Sequence, residues 1–402
     1  MDIYKQIYIQ KLDTSTLECK YLLVYKGQYY EANYSIVELL TCLQKGETLN
    51  HGIDLYMRRK NGEFSYKQVE ELIARFISPL FIEKETDEKM PITKGPFWYR
   101  RELFSSEMIG RFSDFFSVLF REIYMFPFLT LVLLLDGYFF FSTENLLVFN
   151  NTTANVYTII GLFVFVFSSS LFHELGHASA CKHFGLNHGG IGFGLYLNFP
   201  VLYTNVTEIW CIERKKRCIV NIAGVYFQMH FLLILLFCYW LTNYDIVRYM
   251  ILIINLGFLM TLNPFFKFDG YWIASDLLGI PNLRSRSKEW LLYVYKRIRK
   301  QPVKEKPYLL YTTKIGRYGL LTYSIVVNLF MGYYFFYIIP KFLISFIHSF
   351  PSKVHQLILY LSNDITPPFA LLRDVVAQLL LLLLISALVL NIVYSFLHAK
   401  RK

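Results

Sequence analysis

The chain has 402 residues, 54% of them apolar, 18% aromatic and only 18% charged, and its mean hydropathy is +0.35. That balance excludes an ordinary soluble protein. The formal charge of +11 lies wholly in residues 122–402, because residues 1–121 carry equal numbers of basic and acidic side chains. The basic residues cluster between apolar segments, a pattern of membrane topology, and nucleic acid is excluded as a partner.

Read from the start, MDIYKQIYIQKLDTS lacks an apolar signal-peptide core, so no cleavable signal is expected and insertion falls to internal spans. Residues 1–95 alternate like a small soluble α+β module. Within it, YLLVYKGQYYE at 21–31 predicts a hairpin around Lys26-Gly27-Gln28. Helical patterns follow at 34–44 and 66–78, the second with Val69, Leu72, Ile73 and Phe76 on one face. Residues 85–102 read as a linker broken by Pro and Gly. Beyond it, Phe104, Met108, Phe112, Phe115, Phe116 and Leu119 recur at helical spacing. They predict an amphipathic helix, either lying on the inner membrane face or packed without lipid contact. The expected domains are therefore a module at 1–95, a linker and interfacial helix at 96–121, and a membrane domain at 122–402.

A membrane span needs about 20 mostly apolar residues. Six stretches qualify, at 123–141, 156–180, 218–241, 247–268, 318–345 and 371–397. The connection 142–155 has no Lys or Arg, the loop 181–217 ends in ERKKR, the loop 270–317 is strongly basic, and the chain ends AKRK. Positive loops stay inside, which places both termini in the cytoplasm. The expected fold is mostly α, a polytopic helical membrane protein of about six spans with a small cytosolic α+β domain. The six cysteines form no C-x-x-C pair and read as scattered reduced thiols.

The second span ends in VFSSSLFHELGHASACKHFG, residues 166–185. Helical residues four apart lie about 40° apart around the axis, so His173 and His177 face one way and can grip one metal ion. Glu174 sits beside them, placed to take a proton from bound water. The alternative is a pair of buried histidines satisfied by hydrogen bonds. Such a cluster near a span's end is costly unless paired or liganded. Ser168 to Ser170, one turn earlier, read as packing.

Zinc needs a third protein ligand. A downstream H-x-x-G-x-x-H is absent, and His183 and His188 read as interfacial polar residues. The better partner lies at the end of the fourth span, in TLNPFFKFDGYW at 261–272. Pro264 breaks the helix, Asn263 helps satisfy the freed backbone, and Gly270 after Asp269 permits a tight turn. Irregular backbone at this depth is tolerated only in protein or beside a wet cavity. Spans two and four both run inward, which brings Asp269 to the depth of the histidines. Lys267 is expected to reach for the interface rather than pair with Asp269. Asp136 and Asp374, near outer span ends, are expected to be solvated by headgroups and water.

HELGH on one span with NPFFKFDG on a later one resembles the site-2 protease family of intramembrane zinc metalloproteases. The resemblance covers roughly residues 156–280. It implies one zinc ion held by His173, His177 and Asp269, with Glu174 activating water and Asn263, Pro264 and Gly270 in support. The wording NPFFKFDGYW, DLLGIPNLR at 276–284 and the segment 199–228 is closer to the bacterial peptide zinc metalloprotease branch, found with peptide-maturation and export systems. Gly224 and the run GFGLYLNFPVLY fit a membrane-dipping hairpin beside the site. No PDZ-like insertion is present, which argues against a stress-signalling gate. The N-terminal module is similar to winged-helix domains that bind a leader peptide as an added strand.

The expected function is zinc-dependent endopeptidase cleavage near the cytoplasmic face of a bacterial inner membrane, in maturation or export of a ribosomally made peptide. The expected partners are a peptide or transmembrane-segment substrate, a leader peptide at residues 1–95, a peptide exporter and membrane lipid. Two alternatives are regulated proteolysis of a membrane-tethered signalling protein and a non-catalytic role beside an exporter.

Overall fold

In a computed structural model the described residues are 2–81, 97–144, 146, 156–196, 199–302 and 306–399. The N-terminal module begins with a short helix α1 (Asp2–Lys5), followed by strands β1 (Tyr8–Leu12), β2 (Lys20–Tyr25) and β3 (Gln28–Asn33). These form an antiparallel sheet in the order β1-β2-β3. Lys26 and Gly27 both take positive φ, 45° and 72°, the requirement of a two-residue hairpin turn whose twist matches the strands. The expected hairpin is present. β1 joins it as a third strand that sequence periodicity did not single out.

Three helices cover this sheet. Asn33 caps α2 (Tyr34–Lys45) by accepting from the Ile36 N–H. Helix α3 (Leu49–Arg59) lies between the two helical patterns placed from the sequence, while α4 (Tyr66–Leu72) starts at a capping box of Ser65 and Gln68. The expected helix at 66–78 does not stay regular: Ile73–Ile77 form a π-turn. Leu40, Leu43, Ile53, Val69 and Ile77 are fully buried in the module's core. Each such side chain contributes roughly 1.5–3 kcal/mol relative to exposure.

Residues 82–96, most of the expected linker, lie outside the described residues. Its end is not a linker, because Phe97–Phe104 form strand β4. Helix α5 (Ser106–Phe116) follows and places Ile109 against Ala178 and Ile191, while Met108, Phe112 and Phe115 remain exposed. The helix therefore packs on one side and keeps an apolar outer face.

The membrane region then runs through α6 (Glu122–Ser142), α7 (Val156–His183), strands β5 (Ile191–Tyr196) and β6 (Phe199–Thr204), α8 (Arg214–Thr242) and α9 (Asp245–Thr261). Strands β4, β5 and β6 make a second sheet in that order, so the expected hairpin at GFGLYLNFPVLY gains a third strand. After α9 come α10 (Asp269–Leu278), α11 (Leu283–Ile298), α12 (Lys314–Tyr333), α13 (Ile339–Ser362) and α14 (Phe369–Ala399). Among the described residues, four helical stretches are long and apolar enough to cross a membrane: 122–142, 160–183, 214–242 and 314–362. The expected span 318–345 is thus part of a longer run, in which Tyr334–Ile338 form a π-turn. The expected span 247–268 is helical only to Thr261.

The described chain divides into two compact units, one of 1–93, 102–192 and 202–322, the other of 94–101, 193–201 and 323–402. In the first, α8 is the central helix. Its Val225, Met229 and Leu232 pack with Val132 and Phe139 of α6 and with Ile251 and Ile254 of α9. Small residues bring α7 and α8 close, as in membrane bundles generally: a Cβ at Gly176 would lie 2.5 Å from the Ala223 carbonyl oxygen. Leu134, Phe141, Phe163 and Leu241 stay exposed, a surface suited to lipid. The loop between β1 and β2 is pinned to this bundle. Asp13 pairs with Arg214 at 2.9 Å, the Ser15 N–H donates to the Gly279 carbonyl at 2.8 Å, and the Thr313 N–H donates to the Ser15 carbonyl at 2.9 Å. In the second unit, α13 and α14 are tied by Lys353 and Asp374 at 2.8 Å.

Candidate metal centre

His173 and His177 lie one turn apart on α7 and turn their imidazoles toward each other, with the two Nε2 atoms 3.1 Å apart. Asp269, the first residue of α10, reaches the same point. Its Oδ2 is 3.1 Å from His173 Nε2 and 3.2 Å from His177 Nε2. The break after α9 makes this approach possible. Helix α9 ends at Thr261, the Asn263 side chain accepts from the Phe265 N–H at 2.8 Å, and the chain re-enters helix at Asp269. Asn263 therefore satisfies the backbone freed around Pro264. Gly270 differs from expectation. It takes no positive φ but lies in helix, where a Cβ would sit 2.0 Å from the Leu262 carbonyl oxygen. Close approach, rather than turning, requires the glycine.

The donor set can be tested for fit to a cation. His177 Nδ1 lies 2.8 Å from the Val220 carbonyl, which can only accept, so a ring proton sits on Nδ1 and Nε2 is the atom left to serve as a ligand when a metal is bound. Asp269 Oδ2 is buried, and its polar neighbours are those two imidazole Nε2 atoms. Three ligand atoms thus converge on one point, where a positive charge, a proton or a metal ion, offsets their mutual repulsion. Ligand atoms around a tetrahedral zinc with bonds of 2.0–2.2 Å stand about 3.3–3.5 Å apart, close to the spacings here. The residues fit a metal ion. Glu174, the neighbour of His173, is buried, and its backbone carbonyl accepts from the Thr204 hydroxyl at 3.3 Å.

Other polar residues find different uses. His188 bonds Ser113 at 2.9 Å and His183 lies against the rings of Phe120 and Phe184, so neither joins the cluster. Asp136 is held by the Asn255 amide at 3.0 Å, a specific partner where headgroup solvation was expected. Lys267 lies 5.8 Å from the centroid of the Tyr271 ring. A cavity of about 550 Å³ opens beside Asn263 and Pro264, lined mainly by Phe140, Phe258, Leu259 and Leu262, with Asn255.

Sequence reasoning missed the support that α8 gives this cluster. A Cβ at Gly224 would lie 2.3–2.5 Å from three atoms of the His173 ring. Two turns before it begins a buried ion pair, Arg217 Nε to Asp276 Oδ1 at 2.6 Å, with the Asn221 amide on the other carboxylate oxygen at 2.8 Å. The available signal was a run of charged and polar residues at helical spacing, Arg217, Asn221 and Gln228, entering an apolar span.

No family model and no solved structure matches the chain. Over 134 residues it is 26% identical to "Putative peptide zinc metalloprotease protein YydH" of Bacillus subtilis (strain 168). That relative is named a zinc metalloprotease. The alignment covers 32% of this chain and 52% of the relative, so the chain spans about half the length of the protein it matches.

Proposed function

We propose that this chain is a zinc-dependent intramembrane endopeptidase of the site-2 protease type. The observation that carries the reading is the convergence of His173, His177 and Asp269 within 4.8 Å of one another, on a helix long and apolar enough to cross a membrane and on the break after α9. The relative's name supports a metalloprotease and zinc. These three side chains would hold the ion, which when bound supplies Lewis acidity to the scissile carbonyl and to an attacking water. Glu174 takes the proton from that water and returns it to the leaving amine. A helical substrate must unwind locally, since helix hydrogen bonds shield its carbonyls. The apolar cavity beside Asn263 suits side chains of such an unwound segment.

The substrate in this reading is a ribosomally made peptide undergoing maturation or export across a bacterial inner membrane, with both termini of the enzyme cytoplasmic. The order β1-β2-β3 leaves β1 and β3 as sheet edges, which supports capture of a leader peptide by residues 1–95 as an added strand. A peptide exporter is the expected neighbour. The test is metal analysis of the purified chain with cleavage of a membrane-tethered precursor. One zinc per chain is expected, absent in Asp269→Ala, with cleavage lost on chelation and restored by zinc. A wild-type protein that retains no zinc after metal loading overturns the reading. Gly224→Ala is a sharper probe, because its methyl occupies the place of the His173 ring. It is expected to weaken zinc binding by about tenfold or more, read by chelator competition.

A further inference from the structure

His177 is oriented by a main-chain carbonyl, which any residue at position 220 supplies. His173 depends on a side chain. Its Nδ1 lies 3.2 Å from Oε1 of Gln228, one turn beyond Gly224 on α8. An amide inside a span is costly unless both of its halves are bonded, and here both are. Gln228 Nε2 donates to Ser169 Oγ at 2.9 Å and lies 3.4 Å from the Ser169 carbonyl oxygen. Ser169 is itself buried, at 3% exposure.

The chemistry of these groups fixes which way each one points. The Ser169 carbonyl can only accept, so the NH₂ half of the Gln228 amide faces Ser169 and the oxygen faces His173. That oxygen also only accepts, so a proton lies on His173 Nδ1 and Nε2, facing Asp269 and His177, is the ring atom left to bind a metal. Ser169, Gln228 and His173 form a chain running from α7 to α8 and back. It ends at the point where the metal reading needs a bare nitrogen.

We infer that Gln228 is a positioning residue for the metal centre, which, braced by Ser169, sets the tautomer and ring orientation of His173. The inference rests on the metal-site reading above and adds to it a residue outside the ligand set. Partners of ligating histidines are worth roughly 10–100-fold in metal affinity.

The full chain in detergent is compared as wild type, His173→Ala, Gln228→Met, Gln228→Glu and Ser169→Ala, with zinc affinity measured by chelator competition. Gln228→Met keeps length and loses the acceptor; it is expected to weaken binding by roughly 10–100-fold. Gln228→Glu restores an acceptor and is expected to recover most of that loss. Ser169→Ala is expected to cost less than Gln228→Met, because the Ser169 carbonyl remains. With cobalt in place of zinc, the visible spectrum should change in Gln228→Met and return in Gln228→Glu, a signature that loss of stability alone does not produce. Wild-type affinity in Gln228→Met while His173→Ala binds no zinc sinks the inference and spares the metal site. Equal affinity of wild type and His173→Ala sinks the metal site itself and Gln228 with it. If Gln228→Met does not fold, Ser169→Ala and Gln228→Glu decide: the role fails if Ser169→Ala leaves affinity unchanged and Gln228→Glu abolishes it.

Discussion

Glu174→Gln is expected to bind zinc as the wild type does and to cleave its substrate roughly 10²–10⁴-fold more slowly. Gln matches Glu in shape and helix propensity, so α7 and the two histidines beside it stay in place. What the amide lacks is a site that takes a proton. Glu174 is 8% exposed, so few solvent groups can stand in for it. Zinc content and single-turnover cleavage, measured on the same preparation, separate the two effects. A zinc-loaded variant that cleaves at the wild-type rate would assign the base to another group.

Asp276→Ala carries the largest expected effect on stability, about 3–5 kcal/mol. Arg217 and Asp276 are 2% and 4% exposed, and burial pushes the Asp276 carboxyl above its usual range while Arg217 and Asn221 pull it down. Desolvation is therefore not fully offset even with the partner present. Without the carboxylate, the Arg217 guanidinium is left buried with, among the described residues, the Ile212 and Asp13 carbonyls as hydrogen-bond acceptors and the face of the Trp210 ring nearby. Removing both charges is gentler than removing one. Arg217→Met with Asp276→Leu should melt above Asp276→Ala alone. A thiol-reactive dye reads this as a rise above the baseline set by the exposed Cys19 and Cys238, since Cys42 and Cys181 are buried and become labelled on unfolding. Wild-type melting of Asp276→Ala would mean that the pair is not structural.

The clustering of His173, His177 and Asp269 was legible in part because a shared ligand would constrain their spacing. Two histidines four apart on a helix must share a face, and a Pro-interrupted segment at matching depth is where a third ligand can reach in. The apolar runs gave α6, α7 and α8 to within a few residues, because a span's composition is set by lipid rather than by its neighbours. What was not legible depends on pairing between distant segments. β4 carries charged residues, Arg100, Arg101 and Glu102, and reads as linker until a sheet partner is known. The helical run at 314–362 was underestimated: the expected span, 318–345, already ran through Pro340, and helix continues beyond it with Pro351 carried inside α13. Gln228 was passed over as one polar residue in an oily helix. Only the position of His173, on another helix, gives it a role.

Helix α8 contributes none of the three clustered ligand atoms, yet it makes room for one imidazole, braces both and pairs with the helix that carries the aspartate. This has a consequence for biosynthesis. The histidines leave the ribosome first, α8 next and Asp269 later, so a nascent chain stalled before α10 has the two nitrogen donors without the Asp269 carboxylate. On the proposed reading, metal loading then waits for the segment that carries Asp269, and proteolytic activity would appear only after that segment is in place.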